Sequence, residues 1–201
     1  MTDASQVTAA QGSGLVAALT FDDGPNPGET DELLDVLAEA GITAVFCVIG
    51  ANIQAPGGAD VLRRTVAAGH VLANHTTSYA DMGDWPAERV RADLVTNLAI
   101  IGDAVGDVPV PYFRAPNGSW GATAGVAAEL GMRPLGLGNV IFDWETQDEP
   151  TLVANLRAAI TPGAVVLAHD GGGDRWSTVR AVRRVVGEKL AEGWTFTLPE
   201  R

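Results

Sequence analysis

The chain has 201 residues, 46% of them hydrophobic, and carries 25 acidic against 13 basic side chains for a formal net charge of −12. That content suits one domain with a sizeable core and argues against disorder. The acidic balance, with no clustered Lys or Arg, excludes a phosphate-neutralising nucleic-acid surface and disfavours anionic membranes. No segment is long and apolar enough to span a bilayer, and no partner protein is evident.

Met1 to Gly14 is small and polar and is expected as a disordered or loosely attached tail, ahead of a single domain over 15–201. It has neither the basic nor the apolar region of a signal peptide, so the chain as written reads as cytoplasmic, and as secreted only if trimmed. Val16 to Phe21 predicts a buried strand, and Thr30 to Ala40 a helix with Thr30 as N-cap and Gly41 as its stop. Ala44 to Ile49 reads as a second strand around the lone Cys47, a buried thiol with nothing adjacent to lower its pKa. A helix over Ala59 to Ala68, a short strand Val71 to Asn74 and a long helix from Pro86 to Val105 follow. Tyr112 to Arg114 predicts a strand and Thr123 to Leu130 a helix; Arg133 to Leu137 and Val140 to Phe142 are weaker strands. Thr151 to Ile160 reads as a helix, Ala164 to Ala168 as a buried strand, Ser177 to Glu192 as a helix and Trp194 to Leu198 as a last strand. This alternation argues for a parallel sheet with crossover helices.

The unusual polar residues follow directly after those strands: Asp22-Asp23, His75, Arg114, Asp143 and His169-Asp170. In a barrel of parallel strands the carboxyl ends meet on one face, so residues distant in sequence share one pocket. Each has a plain structural reading when taken alone. Asp22-Asp23-Gly24-Pro25 could be a solvated turn, a lone His is more often structural, and Arg114 could lead into a surface turn. His70 precedes its strand and reads as structural. The run Gly171-Gly172-Gly173 lacks the Lys of a phosphate loop and reads as a flexible loop.

TFDDGP at Thr20 to Pro25, the His75 segment, RxPxG at Arg114 to Gly118, Asp143-Trp144 and LxH at Leu167 to His169 together resemble the five ordered motifs of the polysaccharide-deacetylase family (NodB-homology domain, carbohydrate esterase family 4). The resemblance implies an α/β fold, a distorted (β/α)7-type barrel, and a metal-dependent hydrolase removing acetyl groups from an N-acetylated sugar or small N-acetyl compound. It implies Asp22 as general base, Arg114 holding that base ionised, and His169 as general acid tuned by Asp143. Asp23 and His75 match metal ligands. The family's second histidine is Tyr79 here, which leaves three arrangements open: a phenolate ligand, Asp81 in its place, or Asp23 and His75 alone, holding a cation weakly or not at all. Trp144 and Leu167 would form the acetyl pocket, and the Asn117 N–H would bind the oxyanion. The implied cofactor is a divalent metal, zinc first, with cobalt, nickel or iron as alternatives; the implied partner is a small-molecule or oligosaccharide substrate. Competing readings are a glycan- or partner-binding homologue without turnover, and a metalloenzyme retuned by Tyr79 for oxidative chemistry.

Overall fold

The computed structural model describes residues 4–201. β1 (Val16–Gly24) leads to α1 (Glu29–Ala40), β2 (Val45–Val48), the short α2 (Gly50–Gln54), α3 (Gly58–Ala67) and β3 (Val71–Asn74). Next come α4 (Ala87–Val105), β4 (Tyr112–Phe113), a 3-10 turn (Pro116–Gly118), α5 (Thr123–Glu129), β5 (Arg133–Pro134) and β6 (Asn139–Val140). The chain ends with α6 (Glu149–Ala159), β7 (Ala164–His169), α7 (Trp176–Ala191) and β8 (Thr195–Thr197).

The strands run in the order β5-β4-β3-β2-β1-β7-β6, all pairs parallel, with β8 beside the first residues of β1. Parallel neighbours need crossovers, and here these are mostly helices, so the strand C-termini share one rim. β5 and β6 end the order and do not pair with each other among the described residues. The sheet curls into a distorted barrel with a seam.

The two-residue period of the strands sorts their side chains between two cores. Leu19, Phe21, Phe46, Val48, Val166 and Ala168 join the cluster that also holds Leu33 and Leu37 of α1, Leu152 and Leu156 of α6, and Val182 and Val185 of α7. Their neighbours in sequence, Val45, Cys47 and Ala73, pack in a second cluster with Tyr112 and Leu135. Inside a narrow barrel the residues toward the rim have room for polar side chains, and there the chemistry sits.

Three expectations need correction. The segment before Gly14 is not loosely attached over its described part: Val7 and Ala10 are buried. Val7 N–H donates to Pro134 O at 2.8 Å and Gly136 N–H to Val7 O at 2.9 Å, so this segment covers the free edge of β5 at the seam. Met1 to Asp3 lie outside the described residues. Second, Thr30 does not cap α1. Gly28 does, its N–H donating to Asp31 Oδ2 at 3.1 Å, while the Thr30 hydroxyl turns inward. Third, α2 stands where no element was expected, because five residues carry too little periodicity to show. Strand β3 has its expected bounds; most other ends differ by one or two residues, the usual fraying of element termini.

Candidate active site

Ala18, Thr20 and Asp22 lie on one face of β1, two residues apart. Asp22 is flanked in register by Cys47 of β2 and His169 of β7. Asp22 Oδ1 accepts from Arg114 Nη1 at 2.7 Å, and the same guanidinium nitrogen donates to Thr20 Oγ1 at 2.8 Å and contacts Cys47 Sγ at 3.6 Å. Both Asp22 and Arg114 are buried. Burial pushes the Asp22 carboxyl up, but the Arg114 charge, reinforced by His75 and His169, outweighs it and holds the group below the ordinary carboxylate value. Burial raises the Cys47 thiol well above its ordinary range, helped by the Asp22 charge, so it stays an inert S–H.

An acid–imidazole pair stands beside it, with His169 at the end of β7 and Asp143 in the segment after β6. Asp143 Oδ1 lies 2.7 Å from His169 Nδ1, while Asp143 Oδ2 accepts from the His169 backbone N–H at 2.8 Å and from Thr178 Oγ1 at 3.1 Å. Arg175 braces the segment, donating to Asp143 O at 2.8 Å and Gly171 O at 2.8 Å. Burial alone would lower the His169 pKa; the hydrogen bond to Asp143 and its charge prevail and raise it. The imidazolium is thereby favoured, with Nε2 left for the cavity.

Asp23 follows at a left-handed φ of 71°. Its Oδ1 is 3.3 Å from His75 Nε2, with Asp22 Oδ2 at 3.8 Å from the same nitrogen. His75 Nδ1 lies 2.8 Å from Arg114 O, a carbonyl that can only accept, so Nδ1 carries a proton and the other nitrogen faces two carboxylates. Burial lowers the His75 pKa, yet Asp22 and Asp23 raise it overall. Tyr79 reaches the rim of the same cavity, where its oxygen accepts from Asn52 Nδ2 at 2.8 Å; Asn52 Nδ2 also donates to Asp23 O at 2.6 Å. Burial raises the Tyr79 pKa, and the Asp23 and Asp170 charges add to that against the Asn52 bond, so the phenol keeps its proton. Asp81 does not join the cluster. Its Oδ1 accepts from Gly83 N–H at 3.0 Å, and Ser119 bonds it from the side, away from the cavity lining.

A cavity of about 430 Å³ opens between these groups and is lined by Asp22, Asp23, His75, Tyr79 and His169 on the polar side. Leu137, Val140, Trp144 and Leu167 line its apolar side, with Asn117 and Gly118 at the edge. Trp144 stands edge-on to His169 with ring centroids 5.3 Å apart. Asn117 has φ 56°, and its backbone N–H meets no protein acceptor among the described residues. Among the described residues four non-glycine residues have a left-handed φ: Asp23 and Asn117 line the cavity, Thr76 follows His75, and Phe142 precedes Asp143, which stands behind His169. Backbone strain of that kind collects where function dictates geometry. His70 stays outside, its Nδ1 accepting from Ala44 N–H at 3.2 Å and its pKa lowered by burial to about 4.

All ten residues singled out by motif, Asp22, Asp23, His75, Tyr79, Arg114, Asn117, Asp143, Trp144, Leu167 and His169, lie in or directly behind this cavity. Sequence reasoning missed Asn52, Arg175 and the role of Asp170. The last is buried, accepts from Thr30 Oγ1 at 2.6 Å, and is pushed up to about 7 by burial with the Asp23 and Asp22 charges. The glycine run was expected as a flexible loop. A Cβ on Gly171 would lie 2.0 Å from Asp23 O, so glycine there serves close backbone approach. Its proximity to His169 was the one available signal.

Comparison with known proteins agrees with this site. The family model described as polysaccharide deacetylase matches residues 10–135. The chain is 38% identical over 155 residues to a chitooligosaccharide deacetylase from Rhizobium leguminosarum bv. trifolii, covering 76% of this chain and 70% of that one. Among solved structures, the Xyl-CE4 domain of a multidomain xylanase from the hindgut metagenome of Trinervitermes trinervoides matches with a TM-score of 0.80 at 30% identity, over 91% of this chain and 86% of that one. A family 4 acetyl xylan esterase from Clostridium thermocellum, solved with a cobalt ion, matches with a TM-score of 0.80 at 26% identity, over 91% and 87% of the two chains. By family model and by sequence identity alike, the chain belongs to the polysaccharide deacetylase family.

Proposed function

We propose that the chain hydrolyses the acetyl group from an N-acetylated amino sugar, as an oligosaccharide or a related small N-acetyl compound, with a divalent cation at Asp23 and His75. The observation that carries this reading is the pairing of Asp22 with Arg114 and of His169 with Asp143 across one cavity, which biases the two groups toward opposite protonation states. Arg114 favours the ionised form of Asp22 and Asp143 favours the protonated form of His169, and the two groups lie side by side in register on neighbouring strands. Two titratable groups pushed apart in this way make a base and an acid available at one pH.

Two donors, Asp23 and His75, suit a cation, and among the described residues no third His, Cys, Asp or Glu completes a ligand set with them. Asp23 Oδ1, Asp22 Oδ2 and His75 Nε2 crowd within 3.3 to 3.8 Å, and such acceptors tolerate one another only with a proton or a positive ion between them. Asp23 and His75 would hold the ion, because Asp22 is committed to Arg114. A carboxylate and an imidazole suit zinc first, and cobalt, nickel or iron as well. When bound, the ion polarises the acetyl carbonyl and lowers the pKa of water beside it. Tyr79 stands where the family places a second imidazole, and with its proton retained it contributes at most a weak neutral donor.

The remaining steps belong to the protein. Trp144 and Leu167 receive the acetyl methyl and keep bulk water from it. Asp22 takes the proton of the attacking water. The Asn117 N–H donates to the oxygen on which negative charge develops, and His169 delivers its proton to the departing nitrogen.

Acetate release from N-acetylchitooligosaccharides in the presence of zinc or cobalt tests the reading. Asp22→Asn should lower kcat by about 10²- to 10⁴-fold, the usual worth of a positioned base. No acetate with any of the four metals would overturn it.

A further inference from the structure

Beside the reaction cavity lies a second, larger space of about 860 Å³, contiguous with it because Asp23, Tyr79 and Trp144 line both. The catalytic roles leave this groove unexplained. Three rings stand in its wall with large exposed faces: Tyr79 at 47%, Trp144 at 49% and Trp176 at 41%. Indole and phenol faces exposed beside a sugar-processing cavity offer platforms for the apolar faces of pyranose rings. The charge of the wall is unusual as well. Glu29 and Asp174 lie along it, and the one cation in the lining among the described residues, Arg175, is buried with its N–H groups donated to the carbonyls of Gly171, Gly172 and Asp143. Among the described residues Glu29 and Asp174 form no ion pair, and Asp174 Oδ1 accepts only the Trp176 backbone N–H, at 3.0 Å.

Aromatic faces and unpaired carboxylates are together complementary to a ring that carries positive charge, because a cation over an indole and a cation near a carboxylate are both attracted. We propose that this groove binds the neighbouring sugar of the substrate chain and prefers a 2-ammonium pyranose over its N-acetylated counterpart. On this basis, which rests on the amino-sugar reading above, a partly deacetylated chain binds better than an untouched one, and each turnover improves the fit of its own product for the next.

Binding measured without turnover tests this. Calorimetric titration at pH 6 and low salt would compare a glucosamine trimer with the N-acetylglucosamine trimer on the Asp22→Asn protein, in which hydrolysis is suppressed. The glucosamine trimer is expected to bind more tightly by about fivefold, the scale of one or two solvent-screened charge pairs. Glu29→Gln combined with Asp174→Asn should erase that preference while leaving affinity for the N-acetylated trimer unchanged, and Trp176→Ala should weaken both ligands. The two amide replacements keep the acceptors at these positions, so thermal melts should be unaltered. Equal affinity for the two trimers, or a preference that survives the double variant, would overturn the proposal. Acetate release with no preference would sink this inference and leave the deacetylase reading standing; preference without acetate release would do the reverse.

Discussion

At the rim, partial burial of the Tyr79 phenol and the Asp23 and Asp170 charges facing it raise its pKa and outweigh the opposing bond from Asn52, which favours the neutral O–H over phenolate at ordinary pH. Replacing it by an imidazole would add a donor with a lone pair available near neutrality. Tyr79→His is therefore expected to raise zinc affinity by at least about tenfold in a calorimetric titration. Unchanged affinity would mean that this position does not face the ion. The Asp143–His169 pair yields a second outcome. A general acid whose pKa is raised acts below that pKa and fails as pH rises through it, so Asp143→Asn should move the alkaline limb of kcat/KM to lower pH. A limb that stays in place would remove Asp143 from the tuning of His169. The residues legible in the sequence were those that follow strands directly, since strand ends can be read from apolar runs. Asn52 was not legible because it sits on the five-residue α2. The environment of Asp170 depends on Thr30, 140 positions away, and no local pattern carries such a contact.

At the scale of elements, strand and helix alternation was readable because each buried strand is a continuous apolar run and each helix repeats near 3.6 residues. The N-terminal segment defeated the same logic. Small and polar residues carry no hydrophobic period, yet backbone groups on an open strand edge must be satisfied by something. Val7 satisfies β5, Ala10 N–H donates to Gly163 O at 2.9 Å, and Gln11 N–H donates to Leu198 O at 2.8 Å. Removing residues 1–11 should cost about 3 kcal/mol, for two buried apolar side chains and several backbone hydrogen bonds. Thermal unfolding should then begin about 5–10 °C lower. A truncated protein with the full-length melting temperature would show that the segment merely rests on the seam.

For the molecule as a whole, the buried titratable groups set a pH trend. Asp170 has a folded pKa of about 7, so between the ordinary carboxylate value and 7 the folded chain holds a proton that the unfolded chain releases. Its contribution to stability therefore declines as pH rises through that window, by a ceiling of about 4 kcal/mol. His75 and His169, raised in the fold, stabilise it below the ordinary imidazole value, and that support is likewise lost as pH rises through their folded pKa values. Asp22, lowered in the fold, has the opposite sign and withdraws its support only as pH falls below the ordinary carboxylate value. Chelated protein should accordingly melt at a higher temperature at pH 5 than at pH 8, and Asp170→Asn, which can still accept from Thr30, should narrow the gap. A gap unchanged in that variant would place the effect elsewhere.

The joining of the first and last segments has a practical side. Glu200 N–H donates to Ala9 O at 2.9 Å, and Ala10 bridges Pro199, both near the start of β7 at the pole away from the rim. A tether fixed at the C-terminus, whether an affinity handle, a fused module or a solid support, would leave from that pole and point the catalytic mouth outward.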